Sequence, residues 1–302
     1  MFKGSGIISR CLITFFGEKM LIQNLIAGIQ AGSLYALVGL GLVIIYKATN
    51  VLNFAYGEMV MMGGYFALIF SVFLKFSFPV VFIFTLLCGA VLGLFMERII
   101  CRPLQHASGM TIVIATVAMM GILKSLARLI WGPGYYPLPL FSVAPFKILS
   151  ISVSGNTSYT TIFAIIFMII FYLFFRFTKL GKGMRATSEN PTAASFMGVR
   201  VSRVFLLTWA ITGALAAATG LLIGPITAVF PDMGNICIKG FAAAVMGGFE
   251  SIPGVILGGF FLGVAEILGS SYISTAFKDV IAFLLLVAVL IFRPLGLFGT
   301  RQ

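Results

Sequence analysis

Long apolar runs are the feature of this sequence that most constrains its fold. A run of about 20 apolar residues is long enough to cross the hydrocarbon core of a bilayer as a helix. In chain order the candidate runs are 21–46, 54–74, 79–100, 109–131, 159–177, 203–230, 236–250, 254–270 and 277–293. We therefore predict an all-α polytopic membrane protein with about nine transmembrane helices, within a range of eight to ten.

The composition supports a membrane protein and argues against several other classes. Apolar residues make up 60% of the chain, charged residues 9%, and the mean hydropathy is +1.12, so too little polar surface exists to cover a soluble globule. The net charge is +12, but the basic residues are scattered at the ends of the runs, which argues against a nucleic-acid partner and for contact with the bilayer. The cysteines lack C-x-x-C spacing, which predicts neither a metal site nor a disulfide framework.

Two segments depart from this regular pattern. Residues 1–19 form an atypical N-terminal segment, which either lies on the membrane surface or precedes the true initiator at Met20. Residues 20–302 contain no linker or composition shift, so we expect a single integral membrane domain. The run 236–250 is short and contains glycine, so it and the next run form either two full crossings or a broken, re-entrant pair.

Loop charges predict the orientation of the chain. Six basic residues flank or lie within the loop 178–202, opposed only by Glu189, so this loop is expected in the cytoplasm by the positive-inside rule. The loop 132–158 carries only Lys147 and is expected on the external side. Counting from these two loops places the C-terminus in the cytoplasm. The same count places the basic residues of the first 19 positions on the external side, which is the one point that disagrees with the positive-inside rule.

The polar stretch 181–198 between two apolar runs predicts a short helix over Pro191–Met197. Asn190 is a good N-cap, Pro191 suits the first helical turn, and Gly198 can take the left-handed conformation that ends a helix. Small side chains would let this helix lie close inside a groove of another protein, although a loop that merely joins two spans would look similar. The candidate contact residues are Glu189, Asn190, Pro191, Ala193, Ala194, Ser195 and Gly198.

A second polar cluster lies between the first two apolar runs. Asn50 and Asn53 can cap a helix start, where the helix dipole would favour Glu58 in the early turns. Alternatively, Asn53, Tyr56 and Glu58 line the inner end of a substrate path, because an unpaired carboxylate in hydrocarbon costs about 2.5–3.5 kcal/mol. The full set of candidate path residues also takes in the predicted helix break, and is Asn50, Asn53, Tyr56, Glu58, Gly247, Gly248 and Glu250.

Other charged residues inside apolar runs are also candidates for either a substrate path or a structural role. Glu266 lies in the middle of its run, and Lys124 and Arg128 share one helix face near the end of theirs. The two basic residues either serve a path or extend their charges to the external interface.

The chain has no G-x-x-x-x-G-K-[ST] motif and no catalytic or cofactor-binding set. It is therefore predicted to be no enzyme and to bind no cofactor, with any ATP hydrolysis carried out by another chain.

Six short motifs occur in a specific order along the chain. They are Gly32–Leu37, Asn53–Glu58, Glu97–Leu104, Gly183–Asn190, Ala242–Gly248 and Arg293–Leu297. Together they resemble the membrane permease subunits of branched-chain amino acid ABC importers, the LivH/LivM family, and the LivH-type branch more closely. Tyr56 departs from the resemblance, since the family often has histidine at that position.

The resemblance implies an ABC importer permease fold in a bacterial inner membrane, with branched-chain or related small amino acids as substrates. It implies four partners, namely a second, LivM-like permease, two cytoplasmic ATPase subunits that use ATP, and a periplasmic substrate-binding protein. Residues Glu189 to Gly198 would then be a coupling helix that docks on an ATPase. Importers of amides or urea are an alternative within the same fold. An ion-gradient-driven carrier is another, for which paired broken helices would be expected, here at 247–254 and, more loosely, at 47–58.

Overall fold

A computed structural model describes residues 5–104, 107–140, 146–148, 151–249, 251–294 and 296–299. The candidate path residue Glu250 lies outside the described residues. Helix α1 begins at Ser5, so residues 5–19 continue the first apolar helix. The surface-lying segment expected for residues 1–19 stays a prediction.

Eleven α-helices account for most of the described residues. They are α1 Ser5–Thr49, α2 Tyr56–Leu68, α3 Phe78–Met96, α4 Gly109–Trp131, α5 Gly155–Phe177, α6 Lys179–Glu189, α7 Pro191–Phe196, α8 Val201–Thr227, α9 Ile236–Gly247, α10 Ile252–Tyr272 and α11 Lys278–Phe292. A π-helical turn extends α2 to Phe73 and another extends α3 to Cys101. A short antiparallel hairpin, β1 Phe146–Ile148 and β2 Ile151–Val153, lies in the loop before α5 and was not predicted.

Each of the nine predicted apolar runs corresponds to a helix, which confirms the all-helical membrane architecture. Within the described residues, seven helical segments are long and apolar enough to cross a membrane. They are Met20–Thr49, Tyr56–Phe73, Phe78–Cys101, Gly109–Trp131, Gly155–Phe177, Val201–Thr227 and Ile252–Tyr272. The remaining two apolar helices are shorter, since α9 has 12 residues and α11 has 15.

Close backbone contacts between helices organise the core. Helices α1 and α10 run antiparallel, and a Cβ atom on Gly28 would lie 2.6 Å from the Cα atom of Val264. On Gly32 it would lie 2.7 Å from the Cα atom of Phe260. Apolar side chains gain little from leaving lipid, so membrane helices associate through such dense packing at small residues. The glycine spacing in these two runs therefore positions α1 against α10.

Helix α2 begins inside the bundle instead of at its end. The amide of Phe54, just before α2, donates to the hydroxyl of Thr116, which lies seven residues into α4. At about 1.5 Å per residue, this contact is roughly 10 Å from the first residue of α4. Further along, Tyr65 of α2 stacks on Trp131 at the last residue of α4, with ring centroids 4.3 Å apart. The two helices therefore run in the same direction, and α2 starts part of the way along α4.

Helix α9 also starts inside the bundle. Its 12 residues span about 18 Å, which is too short to cross the hydrocarbon core. It ends at Gly247, and the next residue, Gly248, has a φ of +99° that takes the chain out of the helix. Helix α10 restarts at Ile252, where the hydroxyl of Ser251 accepts from the amide of Gly254. The predicted break at 247–254 is confirmed, with a short α9 before it and a full-length α10 after it.

The segment after α11 closes this break. The amides of Leu297 and Phe298 donate to the carbonyls of Met246 and Gly247 at 2.8 and 3.2 Å. These are among the last carbonyls of α9, which have no partner within their own helix. The C-terminal segment therefore satisfies the end of the short helix.

Candidate functional site

A cavity of about 250 Å³ lies where the N-terminal ends of α2 and α9 meet. Its polar lining consists of Asn53, Glu58, Lys124 and Asn235. Its apolar walls include Leu42, Leu52, Phe54, Met120, Ile238 and Phe241. The arrangement combines a mostly apolar surface with a few polar groups, as is typical of small-molecule sites.

Two glycines allow the helix starts to meet. A Cβ atom on Gly234 would lie 2.9 Å from both the carbonyl carbon and the carbonyl oxygen of Gly57. A Cβ atom on Gly57 would in turn lie 2.8 Å from the Cβ atom of Cys237. Real Cβ atoms do not approach backbone this closely, so any side chain at either glycine would push α2 and α9 apart.

Glu58 is the buried carboxylate of this cavity. It lies in the first turn of α2, and only 4% of its surface is exposed. One carboxylate oxygen lies 3.1 Å from the position that a Cβ atom would take on Gly234. Within the part of the chain that the structure describes, Glu58 forms no salt bridge. The structure thus places Glu58 in the first turn of α2, as the capping interpretation predicted, and at the junction with the segment that starts α9.

Asn53 caps the turn that leads into α2. Its side-chain oxygen accepts from the amide of Ala55 at 3.0 Å, and only 2% of the residue is exposed. Asn53 also lines the cavity, so the same residue caps the turn before α2 and is a candidate for the substrate path. The capping role expected of Asn50 is wrong, because Asn50 follows the end of α1 with a φ of +54° and its amide donates back to Tyr46.

The other candidate path residues do not line the cavity. Tyr56 is fully buried in the core, with its ring against Gly41 of α1. Gly247 and Gly248 lie at the opposite end of α9, where Gly247 packs against Gly254 of α10. Their positions serve helix packing and the chain reversal between α9 and α10.

Lys124 and Arg128 both bind Asp232, which lies in the segment between α8 and α9. The Nζ atom of Lys124 lies 2.5 Å from one carboxylate oxygen, and the guanidinium of Arg128 lies 3.3 Å from the other. The hydrogen bond from Lys124, reinforced by Arg128, holds the pKa of Asp232 below its usual value. Both cations are therefore paired with an acidic residue of their own chain, and their role at a path or at the external interface stays a prediction. Asp232 was missed because its partners lie more than 100 positions earlier in the chain.

A second cavity, of about 440 Å³, lies on the other side of the first turn of α9. Asn235 and Ile238 line both cavities. The second is the more charged, with Asp232, Lys239, Lys278 and Asp279 in its lining.

Lys239 joins three helices beside this second cavity. Its Nζ atom lies 2.7 Å from Glu266 of α10 and 2.8 Å from Asp279 of α11. Glu266 is fully buried, and Tyr35 of α1 donates to it at 3.3 Å. Lys239 was missed by the sequence analysis. The available signal was a lysine and a glutamate, each inside an apolar helix, since buried membrane charges usually pair.

Helix α7 has the predicted caps. The side-chain oxygen of Asn190 accepts from the amide of Ala193 at 3.0 Å, Pro191 is the first helical residue, and Gly198 has a φ of +83°. The helix runs from Pro191 to Phe196 and so ends one residue earlier than predicted.

The faces of α7 differ from the expectation in one respect. Ala194 is 4% exposed and packs against its own chain, so it cannot line a contact with another protein. Ala193, Ser195 and Glu189 are exposed, as expected. The sequence analysis missed Phe196 and Met197, which are each 86% exposed at the end of this helix. Two large apolar side chains in an otherwise polar loop were the available signal.

A bundle of long apolar helices, with two helices that start inside it beside a mostly apolar cavity, defines a multi-pass membrane permease. Residues 24–290 match the family model described as branched-chain amino acid transport system, permease component, and this chain belongs to that family. The resemblance drawn from the six motifs is thereby confirmed. Members of the family are permease subunits and not enzymes.

Three relatives illustrate the similarity. The chain is 34% identical to the high-affinity branched-chain amino acid transport system permease protein LivH of Salmonella typhimurium, over 93% of this chain and 96% of that protein. It is 34% identical to the permease protein BraD of Pseudomonas aeruginosa over the same shares. It is 30% identical to a probable LivH of Methanocaldococcus jannaschii, over 96% and 95% of the two chains.

Proposed function

We propose that this chain is a permease subunit of an ATP-driven importer of branched-chain or related small amino acids. The observation that carries the proposal is the cavity between α2 and α9, where the buried Glu58 faces walls of leucine, phenylalanine and methionine side chains. A branched aliphatic side chain suits such walls, and a polar head group suits the few polar atoms among them. The names of the relatives support the same class of substrate.

The transport path is proposed to pass this cavity. Helices α2 and α9 both start inside the bundle, so irregular backbone before each helix lies beside the cavity. Unwound backbone at membrane depth is tolerated where it lines a cavity, and in transporters such places bind substrate. Asn53 and Glu58 are the proposed path residues of α2.

Helix α7 is proposed to be the element that contacts an ATPase. Phe196 and Met197 extend from its end, and the small residues Ala193 and Ser195 lie on its exposed side. An exposed pair of large apolar residues on a capped helix is typical of a protein contact. This placement puts α7 and the C-terminus in the cytoplasm of a bacterial cell, with the chain in the inner membrane.

The remaining partners follow from the same proposal. A second, LivM-like permease would complete the path, two ATPase subunits would use ATP, and a periplasmic protein would deliver the substrate. The lipid bilayer surrounds the apolar helices. This chain itself would bind no cofactor, because its sequence has no nucleotide-binding motif.

Reconstitution of the complete transporter into liposomes tests the proposal. Leucine, isoleucine and valine should accumulate only when ATP and the binding protein are both present. Uptake by this chain alone, driven by an ion gradient and indifferent to ATP, would establish a secondary carrier instead. ATP-driven accumulation of amides or urea, without uptake of the three amino acids, would instead establish an importer of amides or urea.

A further inference from the structure

Three glutamates are buried in the described part of the molecule, and one of them differs from the other two. Glu97 is 4% exposed and lies 3.5 Å from the guanidinium of Arg102. Glu266 is fully buried and lies 2.7 Å from Lys239. Glu58 is buried to the same degree as Glu97, but no salt bridge joins it to any described residue. Its carboxylate is also the one that lines the apolar cavity between α2 and α9.

Stabilisation of α2 through the helix dipole does not by itself explain why Glu58 is buried. A carboxylate in the first turn gains about 0.3–1 kcal/mol from the helix dipole when it is exposed, so such a residue does not need to be buried. Removal of a carboxylate from water costs several kcal/mol unless a cation or several donors compensate. A side chain of this kind inside a membrane protein indicates a functional site whose partner arrives from elsewhere.

The cations near the cavity are already engaged. Lys124 lines it, but its ammonium lies 2.5 Å from Asp232. Arg128 binds the same aspartate. The cavity therefore contains a carboxylate that forms no salt bridge with a described residue, and such a group can accept from the cationic group of a ligand.

The walls of the cavity around Glu58 are mostly apolar, and Phe54, Met120 and Phe241 are among the side chains that line it. A 3-10 turn, Met233–Asn235, leads directly into α9, and the amide of Ile236 donates to the carbonyls of Met233 and Gly234. The backbone at Ile236 is therefore already satisfied within the chain, and Glu58 is the charged group that distinguishes this cavity.

We propose that Glu58 binds the α-ammonium group of a zwitterionic aliphatic amino acid. The aliphatic side chain then contacts the apolar walls. This assignment rests on the proposed function and makes Glu58 a specificity-determining residue of the permease itself. A molecule that lacks the ammonium group leaves Glu58 unpaired and binds more weakly.

A cysteine reporter can measure binding at the cavity without measuring transport. Ile238 lines the cavity and is 53% exposed, so an Ile238→Cys variant, in a background where the four native cysteines are replaced, should react with N-ethylmaleimide. Permeabilised membranes that contain the complete transporter give ligands access from both sides. Ile162 is also 53% exposed but does not line the cavity, so Ile162→Cys is the matched control reporter.

Leucine should slow the labelling of Ile238→Cys and leave that of Ile162→Cys unchanged. 3-Methylbutylamine, which keeps the ammonium but lacks the carboxylate, should also protect. 4-Methylpentanoate, which lacks the ammonium group, should not. Glu58→Gln should weaken protection by leucine about tenfold or more, as expected for loss of a charge-assisted hydrogen bond, and Glu58→Asp should restore much of it.

The outcomes separate this inference from the proposed function. If ATP-driven leucine uptake is normal in Glu58→Gln, and leucine protects that variant as well as the parent, the assignment of Glu58 is overturned while the importer stands. Equal protection by leucine and 4-methylpentanoate overturns it too. If leucine is not transported at all but 3-methylbutylamine protects the reporter in a Glu58-dependent way, ammonium recognition stands and the proposed importer function fails.

Discussion

Gly57, in the first turn of α2, and Gly234, in the 3-10 turn just before α9, bring the two helix starts into direct backbone contact. A Cβ atom on Gly234 would lie 2.9 Å from the carbonyl group of Gly57 and 3.1 Å from a carboxylate oxygen of Glu58. The absence of a side chain at Gly234 therefore does two things. It lets two helix starts meet inside the bundle, and it leaves room beside the carboxylate that faces the cavity.

We expect Gly234→Ala to reduce transport strongly. The added methyl group has only backbone and the Glu58 carboxylate around it, so α2 and α9 must separate, at a cost of about 1–3 kcal/mol. Gly121→Ala is the matched control, because nothing lies within 4 Å of a Cβ atom there and α4 gains about 0.5–1 kcal/mol of helix stability. Substrate uptake and thermal unfolding of both variants provide the measurement. Equal uptake by the two variants would contradict the tight contact.

We expect Lys239→Met to destabilise the protein more than the double variant Lys239→Met, Glu266→Gln. The single change leaves the fully buried Glu266 with only Lys278, at 3.5 Å, as a nearby cation. Loss of one partner of a buried ion pair costs about 3–5 kcal/mol, whereas neutralising both partners costs less. Thermal unfolding in detergent compares the two variants. A single variant that is as stable as the double one would show that Lys239 does not compensate Glu266.

Much of the fold could be predicted from the sequence because bilayer thickness sets the length of an apolar helix. All nine runs are helical, and Gly247, Gly248 and Pro253 indicated the break before α10. The start of α2 inside the bundle could not be predicted, because it depends on the hydrogen bond between Phe54 and Thr116 across two helices. The hairpin at 146–153 carried no strong strand pattern.

The candidate site was only partly predictable, for a related reason. Local chemistry indicated Asn53 and Glu58, since a polar cluster between apolar runs is visible in one stretch of sequence. The partners of Asp232 and Lys239 come from distant helices, so packing and not spacing brings them together. Ala194 was placed on the wrong face of α7 because a six-residue helix has too little periodicity to show which side is buried.

We expect the contribution of Asp232 to stability to depend on pH. Lys124 and Arg128 hold the pKa of the folded carboxyl below its usual value, which is about 3.9 in unfolded chains. The contribution is therefore fully present above that pH and is lost as the pH falls through the lower, folded value.

The test compares the melting temperature of the parent with that of Asp232→Asn. The difference should be constant between about pH 6 and 8 and should shrink as the pH drops below about 4. The difference in melting temperature should be small, because 43% of the Asp232 side chain is exposed. Glu189→Gln, an exposed change on another loop, serves as the control. A difference that grows toward acid pH would have the wrong sign for this ion pair.

We expect a single cysteine just before α5 and a single cysteine in α6 to react with maleimide from opposite sides of the membrane. Ser154 is exposed just before α5, and Lys182 is exposed in α6. In a cysteine-free background, Ser154→Cys should react with an impermeant maleimide in intact spheroplasts. Lys182→Cys should react only after lysis. The reverse pattern would invert the orientation derived from the positive-inside rule.

We expect the exposed end of α7 to be needed for contact with the ATPase. Phe196→Ser together with Met197→Ser should weaken co-purification of the permease with its ATPase, because two large apolar side chains would no longer contact the partner. Membrane insertion and thermal stability should stay unchanged, since both side chains are 86% exposed in this chain. Phe73→Ser is the control, as Phe73 is 65% exposed outside α7. Ala194→Arg should behave differently and lower the stability of the permease itself, because Ala194 is buried against its own chain. Normal ATPase recovery and transport in the Phe196→Ser, Met197→Ser variant would show that α7 joins two spans without coupling them to a motor.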